Sequence, residues 1–141
     1  MKKLLTLIAA CLLAGGFAAS AFAANGSEEI STAHAHALMA QGSNTLAMAH
    51  THLHHVINCL VGTHGAGYDA AAGMPCKGEG NGAIADSAGN QTLDAKLKSA
   101  LADAQDGLKI DNLAAVQKTA AKVAAALQTT PVQKAAGGYS W

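Results

Sequence analysis

Apolar residues recur every three or four positions along most of this chain, and that period restricts the fold more than any other feature. Thr92 is a candidate helix cap, and Gly62 is a candidate helix stop. No stretch alternates apolar and polar residues for long enough to predict a strand. We therefore expect an all-α fold, an up-down four-helix bundle with one long connection. The four predicted helices cover residues 27–41, 44–61, 92–108 and 112–130.

Residues 62–91 interrupt the helical period and are rich in glycine, which predicts a long connecting loop. Cys76 lies in this loop, and Cys59 lies near the end of the second predicted helix. We expect the two to form a disulfide, worth about 3 kcal/mol in the chain-entropy model, which ties the loop to that helix. The break at residues 42–44 leaves an alternative, in which the first two helices form one helix of about 35 residues.

The first 23 residues have the three parts of a secretory signal peptide. Lys2 and Lys3 precede an apolar stretch over residues 4–19, and a small-x-small cleavage site ends at Ala23. This predicts a bacterial protein of the periplasm or the cell exterior, with residues 24–130 as the helical domain and 131–141 as a flexible tail. A lipid anchor at Cys11 and an uncleaved membrane anchor are the weaker alternatives, and we expect no stable membrane insertion after cleavage.

Beyond residue 23 the chain contains no Phe and no Arg, and its lysines are fewer than its acidic residues. No basic patch is left to hold phosphates, so nucleic-acid binding is not expected. The core must be built from Ala, Leu, Val, Ile and Met, and alanine contributes little buried area. The scattered Met39, Met48 and Met74 are expected to fill the core or the loop, and a copper relay is the weaker alternative.

The histidines are the most informative feature for function, since six of the seven lie between residues 34 and 55 and His64 follows in the loop. On the second predicted helix, His50 and His54 share one face, whereas Met48, His52, His55 and Cys59 share the opposite face. The opposite face is a second possible site, and its thioether and imidazole groups suit copper. If Cys59 is disulfide-bonded, His52 and His55 can still bind an ion there together with His36 or His64. A hairpin folded at Gly42-Ser43 places His36 level with His50, and gathers His34, His50 and His54 on inward or flanking faces. The candidate metal ligands are therefore His34, His36, His50, His52, His54 and His55.

Clustered imidazoles are typical of a transition-metal site, and we expect copper or zinc first, with nickel possible. One alternative is a b-type haem or electron-transfer bundle with His34 and either His50 or His54 as axial ligands. Another is a non-catalytic structural or interaction protein, in which the histidines only make a polar, pH-responsive helix. The chain has neither a His-Glu-x-x-His motif nor a Cys-x-x-Cys-His motif, and carboxylates are scarce near the histidines, so we do not expect an enzyme. The sequence identifies no protein partner.

Three segments carry a resemblance to a known class of proteins: residues 34–36 (His-Ala-His), 50–55 (His-Thr-His-Leu-His-His) and 113–116 (Leu-Ala-Ala-Val). Histidine-rich and Ala/Leu amphipathic helices in this order resemble the small periplasmic metal-binding four-helix-bundle proteins of bacteria. Those proteins spread histidines over all their helices and lack a glycine-rich, cysteine-containing loop, whereas this chain has no histidine in its last two predicted helices. The resemblance implies sequestration of copper, nickel or zinc without catalysis.

Overall fold

The structure is a computed structural model that describes residues 26–128, and the predicted signal peptide and tail lie outside this range. The described residues form five helices and no strand, which confirms an all-α fold. The helices are α1 (Ser27–Gln41), α2 (Leu46–Val61), α3 (Ala83–Asp86), α4 (Gln91–Gly107) and α5 (Leu113–Gln128).

Helices α1 and α2 are separate, so the alternative of one long helix is wrong. Helix α2 begins two residues later than predicted because Thr45 caps it, its hydroxyl accepting a hydrogen bond from the Met48 amide at 3.2 Å. Helix α4 is capped by Asn90 instead of Thr92, through a 3.1 Å hydrogen bond from the Leu93 amide. Asn112 accepts from the Ala115 amide and confirms the predicted start of α5.

The four long helices pack in neighbouring pairs. Helix α1 lies against α2 and α5, and α4 lies against α5 and α2. Their contact surface is made mainly of alanine with Leu, Val and Ile, as the composition predicts. Gly107 shows how close the helices come, because a Cβ atom there would collide with the buried Leu53 side chain of α2. Small residues thus permit close helix contact in a core without aromatic rings among the described residues.

The glycine-rich segment after α2 is fixed to the helices by several bonds, including the predicted disulfide. Cys59 and Cys76 are bonded and fully buried. The buried Asn58 amide donates to the carbonyls of Asp69 at 2.7 Å and Gly73 at 2.6 Å, and its oxygen accepts from the Asp69 amide. Gly62 ends α2 in the left-handed region, where φ is 69°. The segment is therefore a chain of anchored turns that continues into α3, a helix the sequence did not predict.

None of the helices formed by residues 26–128 is long and apolar enough to cross a membrane.

Candidate metal centre

Three histidines meet where α1 and α2 lie side by side. His36 belongs to α1, whereas His52 and His55 belong to α2. The Nδ1 atom of His36 lies 3.2 Å from Nδ1 of His52 and 3.3 Å from Nδ1 of His55. The side chains are half-buried, so an ion from solution can reach them. We call these three residues the histidine trio.

Two of the separations among the three imidazoles match the ligand spacing of a small metal ion, and the potential ligand atoms of all three lie within 4.8 Å of one another. Bonds of about 2.05 Å at tetrahedral angles place two coordinated nitrogens about 3.3 Å apart. The two measured separations, 3.2 and 3.3 Å, equal that edge within 0.1 Å. A tetrahedral ion held by these three imidazoles would keep a fourth position for water or a further ligand, as in sites that exchange their ligand.

The loop orients one member of the trio. Nε2 of His55 lies 2.6 Å from the carbonyl oxygen of Ala72, and a carbonyl can only accept, so Nε2 carries the proton. In neutral His55 the lone pair is therefore on Nδ1, which is the atom that faces His36. Metal-binding histidines are commonly held in this way, with the second ring nitrogen donating to a backbone carbonyl.

Hydrogen bonds alone cannot satisfy all three Nδ1 atoms of the trio. Nδ1 of His36 carries either one proton or one lone pair, and it has two Nδ1 neighbours. With a lone pair, it faces the lone pair of His55. With a proton, it must divide one donor between His52 and His55. A cation that accepts all three lone pairs removes this conflict.

Burial keeps part of the trio uncharged near neutral pH. The pKa of His36 is lowered to about 4, first by burial and then by the neighbouring His55 and His52. The pKa of His52 is also lowered, by burial and then by His55. Metal ions bind the neutral imidazole, so these shifts hold His36 and His52 in the form that coordinates.

The other candidate ligands lie elsewhere. Nε2 of His50 lies 3.0 Å from the Ile110 carbonyl, and Nδ1 of His54 lies 3.3 Å from an Asp69 carboxylate oxygen. His34 is half-buried on α1, and His64 is exposed. Within residues 26–128, the histidine trio is the one group of three or more His, Cys, Asp or Glu ligands close enough to share an ion.

The predicted grouping of His34, His50 and His54 is therefore not formed, because the hairpin register was wrong. The alternative grouping of His52 and His55 with His36 is the one that the structure contains. The turn spans residues 42–45 instead of being centred on Gly42-Ser43, so His36 lies level with His52 and not with His50. Cys59 is disulfide-bonded and is not a thiolate ligand. The role of Ala72 had no signal in the sequence, because a backbone carbonyl acts through position and not through residue type.

Comparisons with known proteins add no relative: no protein family, curated protein or solved structure matches this chain.

Proposed function

We propose that this protein binds one transition-metal ion, copper or zinc first, through His36, His52 and His55, and sequesters it or transfers it to a partner. The carrying observation is the pair of Nδ1 separations, 3.2 and 3.3 Å, at the edge length of a tetrahedral site. Three imidazoles suit zinc, copper and nickel, and affinity among divalent ions should be highest for copper.

We also propose that this protein works outside the cytoplasm, in the periplasm or the cell exterior. Its support is the Cys59–Cys76 disulfide, since such bonds persist in oxidising compartments and are rare in the cytosol. The signal-peptide pattern of residues 1–23 agrees with this placement. We further propose that the four long helices form an up-down bundle whose disulfide-tethered loop supports His55, as the neighbouring helix pairs and the contact with Ala72 suggest.

The test is metal binding by the untagged protein and by single alanine variants. Titration with Zn(II) and Cu(II) should give one tight equivalent, and Co(II) should give the visible absorption of a tetrahedral nitrogen site. His36→Ala or His55→Ala should lower the affinity by about 100-fold or more, above the loss expected from outer-shell changes alone.

The matched controls are His34→Ala and His64→Ala, which remove an imidazole from outside the trio. Both should keep the affinity within about twofold, since neither side chain contributes a ligand atom. Equal losses from control and trio variants would mean that binding is diffuse over the histidines, and would overturn the proposed site.

A further inference from the structure

Two methionines on the helices that carry the trio are exposed. The exposed fractions of Met39 on α1 and Met48 on α2 are both 49%. The expectation that they fill the core or the loop is therefore wrong for these two. It is confirmed for Met74, which packs against the core from the loop. Leu38 is exposed to the same degree, so exposure alone does not mark a site, but it leaves both methionine side chains accessible to an ion from solution.

Helix geometry places both methionines next to the trio. Met39 follows His36 by three residues and Met48 precedes His52 by four, and residues at these steps are neighbours on a helix surface. Only residues 42–45 separate the two helices and His36 faces His52, so the helices run antiparallel. Met39 and Met48 therefore lie on the same side of the trio, toward the turn at residues 42–45, and at the same level of the helix pair.

The sulfur atoms change which ion this surface prefers. Thioether ligands are soft and select Cu(I), whereas imidazole alone serves zinc, copper and nickel alike. Thioethers also have no proton to lose, so their binding does not compete with protonation as imidazole binding does. Two exposed methionines one helical turn from the imidazoles therefore bring both ligand types to the same side of the helix pair.

We propose that Met39 and Met48, with an imidazole of the trio as third ligand, form a second site that binds Cu(I). This inference rests on the function proposed above and deepens it, because it makes copper in its reduced, monovalent state the preferred cargo. The methionine pair receives or releases the soft ion at the surface, and the histidine trio lies one helical turn further along α1 and α2.

The first experiment follows the methionine methyl groups directly. The full-length protein is labelled with carbon-13 at the methionine methyls and titrated with Ag(I), a redox-inert stand-in for Cu(I). The signals of Met39 and Met48 should shift together and saturate, while Met74 serves as an unshifted internal reference. Zn(II) should leave all three near their starting positions. Unshifted Met39 and Met48 signals at saturating Ag(I) would overturn the site.

The second experiment separates this site from the trio. Met39→Leu/Met48→Leu preserves size and apolarity but removes both sulfurs, and Leu38→Met adds a thioether about 200° from His36 on the same helix. The double leucine variant should lose about tenfold or more in Cu(I) affinity, measured against a competing chelator, and keep its Zn(II) affinity within about twofold. Leu38→Met should change neither.

The outcomes distinguish the two proposals. If the double leucine variant binds Cu(I) and Zn(II) as tightly as the wild type does, the methionine site is overturned and the proposal for the trio stands. Equal losses for both ions would show that the methionines act through packing, which also overturns the site. No binding of either ion by the wild-type protein would overturn both proposals.

Discussion

The two helix pairs of this protein share one core but differ in what borders it. Helices α1 and α2, with the loop that follows, contain all the histidines and the disulfide, whereas α4 and α5 contain none. Both pairs bury a helical stripe of apolar residues. In the first pair, imidazoles occupy the half-buried border of that stripe, where burial keeps His36 and His52 neutral while solvent still reaches them.

This comparison teaches that a binding site requires little change in the core. Leu53, Val56 and Ile57 bury the inner face of α2 as fully as Val116, Ala120 and Val123 bury that of α5. The chemistry resides in the residues beside that stripe and in the loop that covers them. We therefore expect stability and metal affinity to respond to different changes.

Truncating a core side chain in the second pair, α4 and α5, should give the largest change in stability without a change in metal affinity. Leu97 on α4 is fully buried, and Leu97→Ala should lower the free energy of unfolding by about 2–5 kcal/mol through lost burial and the cavity left behind. Zn(II) affinity, measured where the variant is still folded, should stay within about twofold, because the trio lies between α1 and α2 and Leu97 is on α4. Denaturant unfolding and calorimetric titration check the two parts. A fall in affinity parallel to the fall in stability would show that the two pairs are one cooperative unit.

The disulfide is where stability and affinity should be linked. Cys59→Ala/Cys76→Ala should cost about 3 kcal/mol of stability, because the unfolded chain regains the freedom of the opened loop. It should also weaken Zn(II) binding by about tenfold, since the Ala72 carbonyl that orients His55 is carried by that loop.

Asn58→Ala supplies the comparison, because it removes a different anchor of the loop and leaves the disulfide intact. It should also weaken Zn(II) binding, as the loss of the disulfide does. Unchanged affinity in both variants would mean that His55 keeps its orientation without the loop, and would remove the loop from the site.

Sequence reasoning predicted the helical fold, the disulfide and the histidine-rich segment because each depends on local period or residue type. It failed at the register of α1 on α2, since that depends on how the chain turns over residues 42–45 and where Thr45 caps α2. The shift moved His36 away from the level of His50 and next to His52 and His55. The loop anchors were also missed, because Ala72, Asp69 and Gly73 act through backbone atoms.

Acid should lower the stability of the metal-free protein, because His36 has a lowered pKa in the folded chain. The pKa of His36 falls from its usual 6.5 to about 4 in the folded chain. Between these values the unfolded state binds more protons, so the stability present above pH 6.5 is progressively lost as the pH falls toward 4. Half-burial and solvent screening keep the effect moderate. Urea unfolding at several pH values measures it, and His36→Gln should flatten the dependence. An unchanged slope in that variant would assign the pH dependence to other groups.

The smallest effect is expected in the second pair, where Lys122 on α5 and Asp103 on α4 form an ion pair at 2.8 Å. Lys122→Ala should change stability by at most about 1 kcal/mol, because an exposed lysine gains little Coulomb energy in water and loses side-chain entropy when held. Added salt should reduce even that difference, and Zn(II) affinity should not change. Both groups of polar side chains join neighbouring helices, but of the two only the trio offers three possible ligand atoms within reach of one ion. A Lys122→Ala variant with altered Zn(II) affinity would show that the second pair also shapes the site.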